Sequence, residues 1–280
     1  MTGVRSAAVV GLGLIGGSVA RDLVERGVRV LGYDRDPATV RDALRDGGIH
    51  QALGSGLDGT EAVDLVVVAV PVTVAPDVLR QLRVHPGALV TDVGSTKESI
   101  VRAAEDAGLG ERFVGSHPLA GDHRSGWRAS RTGLFGDARV FLTPTSRTAP
   151  DALEQARALW TALGARTEVM GATEHDRRMA AISHLPQALA TAFGSLLARE
   201  GLRRSDLGPG ARDMTRLAGS SPEMWAAIAA DNARHLSAAV GAMQERLAAL
   251  RDALDARDAE RLRSFFEEGN RWSALDGGSG

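Results

Sequence analysis

The sequence predicts an α/β domain built on a doubly wound parallel sheet, followed by an all-helical domain. In the first 170 of the 280 residues, short apolar runs alternate with amphipathic stretches, which is typical of strand–helix–strand units. Several runs are continuous Val and Leu, as in strands covered by helices on both faces. After Met170 no strand-like run follows, and helix formers dominate. We therefore expect two domains, residues 1–170 and 171–280.

The apolar periodicity places the individual elements. Strands are predicted at residues 7–10, 28–33, 65–70, 88–93, 112–115, 140–142 and 167–170. Helices are predicted between them at 15–26, 37–45, 97–107 and 150–163. In the second domain we expect one long helix over 172–200, kinked at Pro186, and another over 222–256. The Gly/Ser-rich tail 276–280 is expected to fray.

Composition excludes several classes of function. The formal net charge is −2, so no net positive field favours nucleic acid as a partner. Cysteine is absent, which excludes a disulfide scaffold and thiolate metal ligands and suits a reducing cytoplasm. We expect no metal centre and no membrane partner, since no apolar run approaches the length of a membrane span. Lys97 is the only lysine, so amine chemistry would depend on it alone.

A glycine-rich turn follows the first predicted strand and opens the first predicted helix. It carries Gly11, Gly13 and Gly16 in the spacing GxGxxG. Such glycines permit a tight turn and close approach of the backbone to a pyrophosphate, which the helix N-terminus then binds. The alternative is a turn without ligand. The context favours a Rossmann-type dinucleotide site, whose predicted contacts here are Gly11, Leu12, Gly13, Leu14, Ile15, Gly16, Asp34, Arg35, Val70 and Pro71.

Asp34 ends the second predicted strand, at the position expected for a carboxylate that binds the cofactor ribose. A carboxylate there repels a 2′-phosphate, so NAD is predicted in preference to NADP. The neighbouring Arg35 either softens this preference or is simply solvated.

Polar side chains follow three predicted strands, where ligands bind in a doubly wound sheet. His117 ends one of them and Ser95 follows another. A histidine over a nicotinamide pocket can take a proton from a hydroxyl as hydride leaves carbon, and Ser95 can share a hydrogen bond with that hydroxyl. The alternative for His117 is a histidine in a turn.

Three residues of the second domain are weaker candidates when judged from the pattern alone. His184 lies within a predicted helix between apolar residues, where a histidine is usually part of the core. Arg212 and Arg216 share a helix face and can bind carboxylates, although surface ion pairing is the commoner role of arginines in so Arg-rich a chain.

The second long helix carries an apolar seam with heptad-like spacing. Its members are Leu236, Val240, Met243, Leu247, Leu250 and Leu254. The seam packs either within a helical bundle or against a second subunit.

Together these segments resemble the prephenate/arogenate dehydrogenase family of tyrosine biosynthesis. The motifs are GLGLIG at 11–16, DVGSTK at 92–97, GSHPLAG at 115–121, SG at 125–126, ISHLP at 182–186, DMTR at 213–216 and SPEMW at 221–225. The resemblance runs from Val9 to about Leu254.

The resemblance implies an N-terminal dinucleotide-binding domain and a helical domain that forms a homodimer. It implies NAD(P)-dependent oxidative decarboxylation of a cyclohexadienol: prephenate to 4-hydroxyphenylpyruvate, or arogenate to tyrosine. His117 matches the histidine that binds the ring hydroxyl, Ser95 a serine near it, and His184 a second active-site histidine. Arg216 matches an arginine that binds a substrate carboxylate; Arg212 gains no role from the resemblance.

Two positions depart from the family pattern. His123 stands where several relatives carry an acidic residue, and Gln187 where some carry a histidine. The first removes any ion pair built on that acid, and the second leaves open an amino-substituted substrate, 4-amino-4-deoxyprephenate. Two more remote readings are a β-hydroxyacid dehydrogenase, which usually employs a helical lysine, and an NAD-binding redox sensor without catalysis.

Overall fold

One mixed sheet organises the N-terminal part of the molecule. The computed structural model describes residues 3–121 and 124–275, and in them eight strands pair in the order β3-β2-β1-β4-β5-β6-β7-β8. His123 and the tail 276–280 lie outside the described residues. The strands are β1 (Ser6–Val10), β2 (Arg29–Tyr33), β3 (Gln51–Ala52), β4 (Leu65–Val68), β5 (Leu89–Asp92), β6 (Phe113–Pro118), β7 (Arg139–Pro144) and β8 (Arg166–Val169).

Helices cover both faces of this sheet. They are α1 (Leu14–Glu25), α2 (Pro37–Arg45), α3 (Ala75–Gln81), α4 (Glu98–Asp106) and α5 (Pro150–Ala162). Alternate residues of β1 enter different clusters: Ala7 and Val9 pack into one, Ala8 and Val10 into the other. Because successive strand side chains point to opposite faces, each face has its own core. The doubly wound α/β fold predicted from continuous apolar runs is confirmed.

The expectation of a wholly parallel sheet is wrong at one place. β6 pairs with β7 in antiparallel register, with His117 opposite Phe141. A parallel pair needs a crossover that returns the chain to the starting edge. Only one short 3-10 turn (Trp127–Ala129) lies between these strands in the described residues, so the chain turns back along the strand it has just left. The short strand β3 was not predicted either.

The remaining chain is helical, as expected. Its helices are α6 (Ala172–Met179), α7 (Leu185–Arg199), α8 (Pro209–Met214), α9 (Pro222–Asp231), α10 (Ala233–Asp255) and α11 (Ala259–Ala274). The predicted helix over 172–200 is interrupted by a π-helical turn at Ala180–His184, directly before Pro186. The predicted helix over 222–256 is divided at Asn232, whose backbone leaves the helical conformation (φ −100°, ψ 28°).

The chain forms two compact units, Met1–Asn232 and Ala233–Gly280. The helices from α6 to α9 thus belong to the same unit as the sheet, and the predicted domain boundary at residue 170 stays a prediction. No helix within the described ranges is long and apolar enough to cross a membrane.

Candidate active site

The glycine-rich turn between β1 and α1 is shaped by backbone contacts. Gly11 has a φ of +97°, and a Cβ built on it would lie 2.3 Å from the carbonyl oxygen of Ala69. A Cβ on Gly16 would lie 2.0 Å from the carbonyl oxygen of Gly11. Both contacts are too close for any side chain, so these two glycines are required by the turn and by the packing of α1 against the strand ends.

At Gly13, by contrast, neither backbone conformation nor packing within the protein requires a glycine. A Cβ on it would meet no atom of the described residues within 4 Å, and its φ of −71° suits any residue. Gly13 is also the N-cap of α1, and no side chain of the described residues caps this helix. Open space above the N–H groups of a helix N-terminus fits a pyrophosphate. The turn therefore fits a dinucleotide.

Asp34 lies beside this turn, as predicted. Its Oδ2 accepts a hydrogen bond from the backbone N–H of Leu12 at 2.8 Å, and its Oδ1 accepts from Asp36 N–H at 2.9 Å. The carboxylate is therefore fixed at the end of β2, where a ribose would lie. Arg35 is exposed. Val70 and Pro71 follow β4, and Val70 Cγ1 would lie 3.2 Å from a Cβ on Gly11, so this segment borders the same turn.

His117 occupies the carboxyl end of β6 and belongs to a chain of three buried side chains. Its Nδ1 lies 2.9 Å from Nε2 of His175, and the two rings meet edge to face. Nδ1 of His175 lies 2.8 Å from Oδ1 of Asp176. Asp176 is 2 % exposed and His117 8 %. A strand end and the first turns of α6 thus form one hydrogen-bonded unit.

Asp176 also holds the segment that carries Ser95. The backbone N–H of Lys97 donates to Asp176 Oδ1 at 2.8 Å, and that of Glu98 donates to Oδ2 at 2.9 Å. These N–H groups belong to the start of α4, directly after Ser95, which is half-buried in the loop from β5. The Asp176 carboxylate therefore joins α6 to this loop and sits where a helix N-terminus favours an anion.

His184 extends the same cluster from the π-helical turn. Asn232 Nδ2 donates to the carbonyl oxygen of Asp176 at 2.8 Å and lies 3.0 Å from His184 Nδ1. Because the Asp176 carbonyl can only accept, it fixes the NH₂ group of Asn232 on this side. His184 Nδ1 must then accept, so its proton is on Nε2. His184 is buried, with the Trp225 ring edge to face at 5.9 Å.

Burial determines the protonation of this cluster. It lowers the pKa of His117 well below the usual 6.5, and repulsion from the protonated forms of His175 and His184 and from the Lys97 ammonium acts in the same direction. Burial also lowers the pKa of His175, and that of His184 to about 4. For Asp176, burial acts to raise the pKa, but the hydrogen bonds from His175 and from the α4 backbone outweigh it and the pKa is lowered. The three rings are therefore neutral at pH 7 beside an ionised carboxylate.

A buried ion pair supports the strand ends behind His117. Lys97 Nζ bonds Asp92 Oδ2 and donates to the carbonyl oxygen of Ser116 at 2.9 Å. Both side chains are almost fully buried. Burial raises the pKa of Asp92 and lowers that of Lys97, since each charged form loses hydration. The single lysine is thus engaged in holding β5 and β6 together.

The two candidate arginines lie on the surface. Arg216 begins a 3-10 turn (Arg216–Gly219) and is exposed. Gln187, one helical turn after His184, donates to the carbonyl oxygen of Leu217 at 2.9 Å, so the turn that carries Arg216 is fastened to the helix that follows His184. Arg212 is exposed, and its guanidinium donates to the carbonyl oxygen of Ser205 at 3.4 Å.

Sequence reasoning missed His175, Asp176 and Asn232. The adjacent His-Asp pair in the first helix after the last strand was the available signal. The rule for doubly wound sheets points only to the carboxyl ends of parallel strands, whereas α6 reaches the site by packing its His175 and Arg178 against Phe141 of β7. Across residues 3–121 and 124–275, no group of three His, Asp or Glu side chains is arranged to hold a metal ion.

Comparison with known proteins relates the chain to one protein family, through two family models that meet near residue 170. Residues 19–169 match the family model described as prephenate dehydrogenase, nucleotide-binding domain, and residues 171–268 match that described as prephenate dehydrogenase, dimerization domain. Over 275 residues the chain is 34% identical to prephenate dehydrogenase of Bacillus subtilis, covering 92% of this chain and 72% of that protein.

Two further likenesses extend over nearly the whole chain. Cyclohexadienyl dehydrogenase of Zymomonas mobilis is 31% identical over 282 residues, covering 97% of this chain and 96% of that protein. The crystal structure of prephenate dehydrogenase from Aquifex aeolicus, in complex with hydroxyphenyl propionate and NAD+, is 30% identical, with a TM-score of 0.88 over 96% of this chain and 97% of that one.

Proposed function

The chain belongs to the prephenate dehydrogenase family, and from this premise we infer that it is an NAD-dependent oxidoreductase that converts prephenate to 4-hydroxyphenylpyruvate and carbon dioxide. The observation that carries this inference is the position of His117. The strands β1, β4, β5 and β6 run parallel, so their carboxyl ends share one edge of the sheet. A neutral, buried histidine and a dinucleotide-binding turn therefore lie at the same edge.

The proposed chemistry assigns the proton to His117. NAD+, when bound, supplies the hydride acceptor. His117 takes the proton of the C4 hydroxyl as the C4 hydrogen leaves as hydride, and a carbonyl forms at C4. The bonding electrons of the C1–carboxylate bond then move through the ring to the C4 oxygen, the ring becomes aromatic and carbon dioxide departs. The resulting phenolate takes the proton back from His117, which returns to its neutral form. The histidine is neutral in the free protein, as a base must be.

The other site residues bind and orient the substrate in this proposal. Ser95 shares the hydrogen bond of the C4 hydroxyl from the loop after β5. His184 presents its Nε2–H as a neutral donor, because its Nδ1 is occupied by Asn232. Arg216 binds a substrate carboxylate bidentately. Arg212 remains a weaker candidate for that role, and the glycine turn with Asp34, Val70 and Pro71 holds the cofactor.

The lysine of the chain argues against a β-hydroxyacid dehydrogenase. That reading needs an amine aimed at the substrate, whereas Lys97 Nζ is 0 % exposed and is engaged by Asp92 and by the Ser116 carbonyl. The relatives also do not favour action on an amino-substituted analogue.

We also propose a homodimer formed by the helical domain, since residues 171–268 match a dimerization domain. On α10 the seam residues Leu247 and Leu254 are 52% and 55% exposed in the single chain, as expected of a surface that a second copy covers. The cytoplasmic location stays a prediction from the cysteine-free composition.

Steady-state assays of NADH formation with prephenate, arogenate and 4-amino-4-deoxyprephenate test the proposed function. We expect the highest kcat/KM with prephenate, with release of one carbon dioxide per NADH. A higher kcat/KM with either amino compound would reassign the substrate, and turnover without carbon dioxide would overturn the reaction class.

A further inference from the structure

We propose that His175 and Asp176 are positioning residues that hold His117 in the tautomer with its proton on Nδ1, which leaves Nε2 as the base. This inference rests on the proposed function for its catalytic consequence. It follows from which atom is the donor in each hydrogen bond of the series that links α4, Asp176, His175 and His117. The Asp176 carboxylate determines the donors in this series.

The Asp176 carboxylate fixes the first bond. An ionised carboxylate only accepts hydrogen bonds, and this one already accepts from the backbone N–H groups of Lys97 and Glu98. His175 Nδ1 lies 2.8 Å from its Oδ1 and must therefore carry the proton. A neutral imidazole has one N–H, so His175 Nε2 is a lone-pair acceptor.

The acceptor on His175 fixes the second bond. His117 Nδ1 lies 2.9 Å from His175 Nε2, so His117 must donate through Nδ1–H. Its Nε2 is then without a proton. The same hydrogen-bond logic gives His184 the opposite tautomer, because Asn232 donates to its Nδ1. Two neighbouring histidines of one cluster are thereby prepared for different tasks: one accepts a proton and the other donates a hydrogen bond.

The arrangement also serves the charged state that proton transfer creates. When the hydroxyl proton moves to His117 Nε2, the ring becomes an imidazolium and its Nδ1–H bond stays intact. His175 Nε2 then accepts from a cation, and charge-assisted hydrogen bonds are stronger than neutral ones. No proton needs to move to His175, and Asp176 remains ionised throughout, as a carboxylate behind a catalytic histidine does in serine proteases.

Two substitutions at His175 separate positioning from simple structural support. In His175→Gln the side-chain oxygen can reach the place of Nε2 and accept from His117 Nδ1–H, but the bond to Asp176 is lost. In His175→Asn the amide can reach the place of Nδ1 and donate to Asp176, but His117 loses its acceptor. If positioning of His117 is the function, we expect His175→Asn to lower kcat by about 100-fold and His175→Gln by no more than about tenfold.

If His175 only orients the Asp176 carboxylate, the order is reversed, because His175→Asn keeps a hydrogen bond to Asp176 whereas His175→Gln loses it. The KM for NAD+ and the thermal unfolding midpoint serve as folding controls, and both should match in the two variants. Equal kcat values in the two variants, or a lower kcat in His175→Gln, would overturn the proposal.

A second measurement does not depend on catalysis. In protein labelled with ¹⁵N-histidine, long-range ¹H–¹⁵N spectra at pH 7.5 report which ring nitrogen carries the proton. We expect Nδ1–H for His117 and His175 and Nε2–H for His184. Nε2–H on His117 would refute the proposal whether or not prephenate is the substrate. The expected tautomers in a protein that does not oxidise prephenate would refute only the proposed function.

Discussion

Asn232 Nδ2 donates to His184 Nδ1 over 3.0 Å, between residues 48 positions apart in the sequence. Asn232 is also the residue at which the predicted helix over 222–256 is divided into α9 and α10. The helix is thus interrupted at the residue whose side chain takes part in the site. The hydrogen bond from Asn232 keeps His184 a neutral donor, which has consequences for both stability and catalysis.

The first prediction concerns stability against acid. The folded-state pKa of His184 is lowered by burial to about 4, from 6.5. Between these values the unfolded chain binds a proton at this residue that the folded chain does not. The contribution is fully present above pH 6.5 and is lost as the pH falls towards 4. At about 1.4 kcal/mol per pKa unit, the free energy of unfolding should drop by about 3 kcal/mol from this residue.

Urea unfolding at a series of pH values between 7 and 4 measures this loss. His184→Asn keeps an oxygen that can accept from Asn232 but does not titrate. The free energy of unfolding of this variant should therefore depend less on pH than that of the wild type. If the free energy of unfolding of His184→Asn fell with pH as steeply as that of the wild type, the prediction would be contradicted.

The second prediction concerns the cofactor. We expect kcat/KM to be at least about tenfold higher with NAD+ than with NADP+, which is about 1.4 kcal/mol, because the carboxylate of Asp34 repels a 2′-phosphate. Asp34→Ser should narrow this difference while still accepting from the backbone of Leu12. Equal efficiency of the wild type with both cofactors would disprove the assignment.

The third prediction concerns the substrate carboxylate. Removal of one partner from a desolvated guanidinium–carboxylate pair costs about 2–5 kcal/mol. Arg216→Ala should therefore raise the KM for prephenate by about thirtyfold or more and leave the KM for NAD+ nearly unchanged. Arg212→Ala is the matched control, with a smaller expected effect. A KM for prephenate within twofold of wild type in Arg216→Ala would mean that another group binds the carboxylate.

The fourth prediction concerns the base. His117→Asn should lower kcat by about 10²–10⁴-fold, the usual loss when a general base is removed, with little change in NAD+ affinity. Since burial lowers the pKa of His117, the acid limb of the wild-type kcat/KM profile should lie below pH 6.5. The limb should vanish from the residual activity of His117→Asn.

His184→Asn is the comparison for that experiment. It should reduce the rate or weaken prephenate binding more modestly and retain the acid limb. If instead His117→Asn keeps more than a tenth of wild-type kcat with an unaltered limb, His184 becomes the next candidate for the base.

The fifth prediction concerns assembly. A charge at Leu247 in the exposed seam of α10 should disrupt the homodimer, because it would be buried without a partner. We expect Leu247→Glu to be a monomer by light scattering at micromolar concentration, whereas Ala249→Glu, which is exposed and outside the heptad-like seam, should remain a dimer. A monomeric wild type would refute the proposed dimer.

The sequence predicted most of the fold because local patterns determine it. Short apolar runs located seven strands, and the glycine spacing located the turn before α1. The direction of β7 escaped prediction because it depends on the missing crossover after β6, which periodicity does not reveal. The break at Asn232 escaped for a related reason: it coincides with a tertiary hydrogen bond to His184, which the local pattern does not reveal.

The sequence supplied candidate site residues where they lie at regular positions of the fold, and their roles stay predictions. His117 was identified from its place at a strand end, whereas the resemblance to a family supplied the expected roles of His184 and Arg216. His175 carries no such mark, because its position depends on the path of α6 across the face of β7.

The π-helical turn Ala180–His184 sets the angular phase of the second histidine. His184 follows His175 by nine residues (184 − 175), and at about 3.6 residues per turn that is about two and a half turns of α-helix. In an uninterrupted helix the two rings would therefore face opposite sides. A π turn rotates less per residue because its hydrogen bonds span five residues. It therefore reduces the angle around the helix axis between the side chains of His175 and His184. Loss or gain of one residue within this turn would preserve the helix but rotate His184 away from Asn232.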